Sequence, residues 1–330
     1  MAIVGSTSRR DEADAAAKVA ALVAMGDYGP DVISDVSVRG AARPLWQRVI
    51  ESGGAAAATL PVYLAHDRHG HIDTHRLLEI ATEHVEGGVG VLTIHPTPRR
   101  DLVRLAQERM VPWTSRGGGL VIADLLASGR AENAYERILP DLIDLVRRHS
   151  AVLSIGASFR SATIFDSADP CQMLEIARQI RLADELRAEG VSVIIESPGH
   201  ARPRDIETIA HALAPAGYPV MPLGPIPTDA AIGVDHIAAA IGAVIFGRLG
   251  CASVIAAVTR EEHTGGVPTI ESTVEAVMAA RTAAHVVDLD RFGDDRADRE
   301  VAVDRASHRT CVVGRTVPGC SRCGHTCPLH

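Results

Sequence analysis

Short apolar runs recur along the chain, and stretches of helical periodicity follow them. DVISDV (31–36) precedes PLWQRVIES, ATLPVY (58–63) precedes HRLLEIATEHVEGG, and GVLTIH (90–95) precedes RRDLVRLAQERM. MVPWTS (110–115) runs into RGGG and LVIADLLASG, and AVLSIG (151–156) precedes PCQMLEIARQIRLADELRAEG. VSVIIE (191–196) precedes PRDIETIAHALAPAG, YPVMPLG (218–224) precedes VDHIAAAIG, and AVIFGR (243–248) precedes CASVIAAVTREEH. Val and Ile dominate the runs, and Gly, Pro, Ser or Asp mark their ends. Runs apolar on both faces suit buried parallel strands. Eight strand–helix repeats predict an α/β fold, a (β/α)₈ TIM barrel spanning 31–265. An open doubly wound sheet is the alternative. Ahead of the barrel, 1–30 reads as an N-terminal helical segment. Behind it, 266–310 reads as C-terminal helices and 311–330 as a cysteine-bearing tail.

Composition narrows the partners. Aromatic residues are only 3% of the 330, so the core must be aliphatic. The formal net charge of −8 argues against non-specific nucleic-acid binding, which needs a basic surface. No run of signal-peptide or membrane-spanning length is present, which points to the cytoplasm. Thiols stay reduced there, so clustered cysteines indicate metal binding or catalysis rather than disulfides.

In a TIM barrel the active site lies at the carboxyl ends of the strands. Those ends deliver Asp35, Tyr63, His95, Ser115, Arg116, Gly117, Arg160, Glu196, His200, Asp229 and His263. Each alone reads as a cap or turn residue; their concentration on one rim points to a site. Ser115-Arg116-Gly117-Gly118-Gly119 follows a run and opens a helix. Its backbone N–H groups and a bidentate arginine suit a phosphate, and the alternative is a glycine-rich turn with a solvated arginine. His200 and His263 could hold a divalent metal, with Asp235, His236, Glu261 and Glu262 as competing ligands, or could be unrelated surface histidines. In the tail, Cys320, Cys323 and Cys327 supply three thiolates where structural zinc or a closed [4Fe–4S] cluster takes four ligands. Either a cluster keeps one iron open, or His325, His330 or Cys311 completes a zinc site.

Several motifs in one order resemble the thiamin-pyrimidine (phosphomethylpyrimidine) synthase family, a non-standard branch of radical S-adenosylmethionine enzymes. They are LTIH ending at His95, SRGG (115–118), ESPGH (196–200), LGPIPTD (223–229), GVDHIAAAIGA (233–243), TREEH (259–263), AAHVVDLD (283–290) and the terminal cysteines. The resemblance implies a cytoplasmic homodimer and a carbon–carbon lyase reaction started by a 5′-deoxyadenosyl radical, with an electron donor of flavodoxin or ferredoxin type. It implies a [4Fe–4S] cluster on Cys320, Cys323 and Cys327, whose open iron holds S-adenosylmethionine, and Zn²⁺ or Fe²⁺ on His200 and His263. Ser115, Arg116 and Gly117 would bind the 5′-phosphate of an imidazole ribonucleotide such as aminoimidazole ribotide. Tyr63, His95, Arg160 and Glu196 would surround its ribose and base, with Glu196 also counted as catalytic. The sequence departs from the family at substrate contacts. GDGLRPG reads GASFRSA, placing Ala157 where the family has an acid; MDLS reads SDVS, placing Ser34 beside the ligand; GYDH reads GVDH. The cluster spacing is one residue shorter, and the long N-terminal region of many members has no counterpart. These changes imply a divergent paralogue with an altered substrate or product. The rivals are an enzyme making 5-hydroxybenzimidazole from the same ribotide, a ribotide-binding protein with a zinc-clasped tail, and a metal-dependent barrel hydrolase using His200 and His263.

Overall fold

The structure, a computed structural model, describes residues 1–313 and 323–329. Two compact units are present, Met1–Ala284 and His285–His330. The first is an α/β TIM-barrel-like fold. Its seven strands are β1 (Ala2–Val4), β2 (Val32–Asp35), β3 (Ala56–Thr59), β4 (Val91–Ile94), β5 (Val152–Ile155), β6 (Ser192–His200) and β7 (Val220–Ile226). They form one parallel sheet in chain order. The helices are α1 (Glu12–Ala24), α2 (Leu45–Ser52), α3 (Thr74–Glu86), α4 (Arg100–Ala106), α5 (Arg116–Ser128), α6 (Ala134–His149), α7 (Pro170–Ala188), α8 (Pro203–Leu213), α9 (Asp235–Arg248), α10 (Ile270–Phe292) and α11 (Arg296–His308). Among the described residues, no helix is long and apolar enough to cross a membrane.

Ile33, Leu92, Ile94, Leu153, Ile155 and Ile195 are all at most 1% exposed, so the strands pack an aliphatic core as the low aromatic content requires. The polar positions alternate with them. Ile3 pairs with Ser34, Thr93 with Ser154, and Glu196 with Met221. A partly polar layer therefore underlies the carboxyl ends of the strands.

Two of the expected strands are something else. Residues 110–115 form a loop: the Met110 and Val111 N–H groups each donate at 3.0 Å to the Asp166 carboxylate instead of to a strand. Trp113 meets Phe159 edge-on. Residues 243–248 are the last turns of α9. That helix packs so closely on β7 that a Cβ on Gly242 would overlap the Pro225 carbonyl oxygen. The opening strand, β1, lies inside the 1–30 segment read as helical. In place of an eighth strand is an irregular segment. Ser253 N–H donates to the Val220 carbonyl, Ala256 bridges Leu223 in parallel, and Ala257 N–H donates to the Met1 carbonyl. Residues 253–257 thus span the gap between β7 and the start of β1.

A Gly242→Val substitution should force α9 off β7 and remove ~2 kcal/mol or more, lowering Tm by roughly 4 °C or more. An unchanged thermal unfolding curve would mean that the packing at this contact is not needed.

Candidate active site

The carboxyl ends of the strands enclose a cavity of about 260 Å³. Ser34, Tyr63, His95, Ser115, Arg116, Arg160 and Glu196 all line it. Each is placed by its own local structure. Ser115 is the N-cap of α5, its hydroxyl oxygen accepting from Gly118 N–H at 3.2 Å. The first turn of that helix therefore opens onto the cavity with its positive end, and the exposed Arg116 follows directly. The Arg116 guanidinium lies 5.5 Å from the Tyr63 ring centroid, over a phenol that burial pushes to a higher pKa. Gly117 is buried behind the rim, where a Cβ would strike the His95 ring. Gly156 abuts the other side of the same ring. His95 is thus clamped between two glycines, with Nδ1 3.1 Å from Ser158 Oγ. Burial, aided by Arg160, lowers its pKa to about 3, so it is neutral at physiological pH.

Glu196 enters from β6. The Ser154 hydroxyl donates to its Oε1 at 3.2 Å, and Thr93 reaches the same oxygen at 3.4 Å. Burial raises its pKa against the opposing pull of Arg160. Arg160 follows β5 and donates from Nη1 to the Ala157 carbonyl at 3.3 Å.

The histidine pair is assembled on the same rim. His200 Nδ1 lies 2.6 Å from Asp229 Oδ1, and His263 Nδ1 lies 2.6 Å from Asp235 Oδ1. The two Nε2 atoms face each other at 3.0 Å. Carboxylates on both Nδ1 atoms fix the Nδ1–H tautomer, which turns two Nε2 lone pairs toward one point. That arrangement is repulsive by itself and fits a shared cation: two nitrogens about 2.1 Å from one metal lie roughly 3.0–3.4 Å apart. Burial also holds His200 below its ordinary pKa, keeping the ring available as a ligand. Of the competing ligands, Asp235 orients His263, His236 faces Glu275 at 3.7 Å, and Glu262 lines the cavity. No set of three or more His, Cys, Asp or Glu side chains converges as a metal site among the described residues.

Asp229 orients His200 instead of standing alone on the rim. Thr163 and the Ile164 N–H also donate to it. Asp35 is likewise structural, accepting from Ser37 N–H and Trp46 N–H. Sequence reasoning missed the buried polar face of α7. Glu175 accepts from Ser158 N–H and Phe159 N–H, both at 2.8 Å, and from the Thr97 hydroxyl at 2.6 Å. Gln179 donates to the Ile155 and Glu196 carbonyls, and Gln172 to the Pro198 carbonyl. The signal was present: three polar residues at 172, 175 and 179 share one face of a long helix.

In the second unit, a single 3₁₀ turn (Gly324–Thr326) joins Cys323 to Cys327, and the Thr326 hydroxyl donates to the Cys323 carbonyl at 2.7 Å. Cys327 is buried. Cys320 and His330 lie outside the described residues.

The Radical SAM ThiC family matches residues 2–312. The chain belongs to that family. Phosphomethylpyrimidine synthase from Archaeoglobus fulgidus is 33% identical over 279 residues, covering 82% of this chain and 65% of its own. The Methanopyrus kandleri protein of that name is 33% identical over 276 residues, covering 80% and 64%. The one from Carboxydothermus hydrogenoformans is 30% identical over 332 residues, covering 91% and 77%. The chain thus spans about 65% of the length of the first two relatives. A Yersinia pestis DHPS structure aligns with 86% of this chain and 93% of its own at 10% identity and a TM-score of 0.47, too loose a likeness to argue from.

Asp229→Asn and Asp235→Asn should each weaken Zn²⁺ or Fe²⁺ binding by roughly 10- to 100-fold, read by competition with a chromophoric chelator. Unchanged affinity in both would remove the histidine pair as a metal site.

Proposed function

We propose that this protein is a cytoplasmic radical S-adenosylmethionine lyase that rearranges an imidazole ribonucleotide, aminoimidazole ribotide or a close analogue. The observation that carries the reading is that the first turn of α5 opens onto the same cavity as His95, Arg160 and Glu196, with the His200–His263 pair on that rim. Membership of the Radical SAM ThiC family supports it.

Each residue has a task in this reading. Arg116 and the N–H groups at the start of α5 hold the phosphate. Tyr63 packs under the arginine and covers the ribose end. His95, neutral and clamped by Gly117 and Gly156, shapes the floor without adding a charge that would compete for the phosphate. Glu196 faces the base end, where its carboxyl group can exchange a proton as the ring rearranges. His200 and His263 would hold the second metal, zinc or iron. Cys323 and Cys327, together with Cys320, would hold a [4Fe–4S] cluster that supplies the one-electron cleavage of S-adenosylmethionine. The family reading brings with it a homodimer and an electron donor of flavodoxin or ferredoxin type.

Anaerobic reconstitution should load about four irons per chain. Cys320→Ala, Cys323→Ala and Cys327→Ala should each abolish S-adenosylmethionine cleavage, and incubation with aminoimidazole ribotide and a reductant should give a rearranged product by mass spectrometry. Full cleavage in any one variant, or bound zinc without sulfide, would overturn the proposal.

A further inference from the structure

The cavity contains an arginine with almost nothing to bind. Among the described residues, one of the five N–H donors of Arg160 has a protein acceptor, the weak contact from Nη1 to the Ala157 carbonyl at 3.3 Å. Its Nε is buried and has no partner. The fold satisfies a structural arginine very differently a few residues away. Arg109 donates to both oxygens of Asp169, at 2.8 and 2.5 Å, and to the Phe159 and Pro112 carbonyls. Both guanidiniums reach carbonyls of the same loop, Arg109 at Phe159 and Arg160 at Ala157, but only Arg109 is also paired with a carboxylate.

Among the described residues no carboxylate forms an ion pair with Arg160, although its charge is felt at Glu196. Ala157, which also lines the cavity and is 3% exposed, offers only a methyl group. Glu196 is engaged by Ser154 and Thr93, forms no ion pair with Arg160, and has its pKa raised by burial. Glu262, the other acid of the lining, makes no ion pair with Arg160 either. A buried guanidinium N–H left without an acceptor is costly, and it is tolerated where a ligand completes it.

Resting on the ribotide reading above, we propose that the substrate carries a second anionic group, a carboxylate on its imidazole ring, which Arg160 receives beside Ala157. The phosphate is held at the α5 end and the carboxylate at the Arg160 end. Ala157 leaves room for that group, and an acid in its place would repel it. The residue pair Ala157–Arg160 is in this way a specificity determinant.

Isothermal titration in the absence of S-adenosylmethionine tests this with three ligands: ribose 5-phosphate, aminoimidazole ribotide, and its ring-carboxylated derivative. The carboxylated ribotide should bind roughly 10- to 100-fold tighter than the uncarboxylated one. Ala157→Asp, which supplies Arg160 with an internal partner, should erase or invert that preference while ribose 5-phosphate binding is unchanged. Arg160→Gln should equalise the two ribotides. Equal or weaker binding of the carboxylated ribotide to the wild-type protein overturns this proposal and leaves the ribotide reading standing. Failure of all three ligands to bind overturns both.

Discussion

Glu175 sits on α7 with only 1% of its surface exposed, and its carboxylate accepts from two successive backbone N–H groups and one hydroxyl. Among the described residues it forms no ion pair; burial raises its pKa, and the three donors, with the charge of Arg109, oppose that shift. Hydrogen bonds to a charged acceptor contribute ~1.5–3 kcal/mol each, and a buried carboxylate without them would cost more than the fold could tolerate. The carboxylate and the loop from Ser158 to Arg160 therefore stabilise each other. Gln179 and Gln172 extend the same logic to the carbonyls of Ile155, Glu196 and Pro198. One helix thereby serves as a template for the loop that carries Ser158 and Arg160 and for the end of β6 that carries Glu196 and His200.

Fixing the loops from behind leaves the front free for chemistry. Charged groups behind the rim are well paired: Arg109 grips Asp169 in two places, and Asp35 and Asp166 are spent on backbone N–H groups. Groups that face the cavity are not. Arg116 stands at the mouth, Arg160 keeps idle donors, and two imidazoles point lone pairs at one another. Preorganised but unsatisfied groups of this kind are what a binding site requires, because their interactions are completed only by the ligand.

The chain advertises much of this arrangement. Val- and Ile-rich runs ending in polar residues reveal β2 and β4 to β7, whereas β3 is the alanine-rich Ala56–Thr59 and most of the expected 58–63 run, Tyr63 included, lies in a 3₁₀ turn, Pro61–Leu64. Two runs mislead for a physical reason. At 110–115 the backbone N–H groups bond to the Asp166 side chain, a long-range partner that no local pattern announces. At 243–248 a β-branched run is helical because Ala and Gly earlier in the same segment let α9 lie against β7. Three residues of β1 are too few to show a period. The supporting shell is the least legible part. Glu175, Gln172 and Gln179 look like a solvated helix face, and Asp229 and Asp235 look like independent rim acids, until the fold brings their partners to them. The cysteines were visible as a group, though Cys320 falls outside the described residues.

If the account is right, the geometry of the mouth depends on the Glu175 carboxylate. Amide hydrogen exchange at Ser158 and Phe159 in a Glu175→Gln variant measures that directly. The amide keeps the shape but puts an NH₂ donor where one carboxylate oxygen accepted, so one of the two N–H groups loses its acceptor and the other keeps a weaker one; exchange at these two positions should accelerate by roughly 10- to 100-fold while the β4 and β5 amides stay protected. Protection at Ser158 and Phe159 equal to that of the wild-type protein would contradict it.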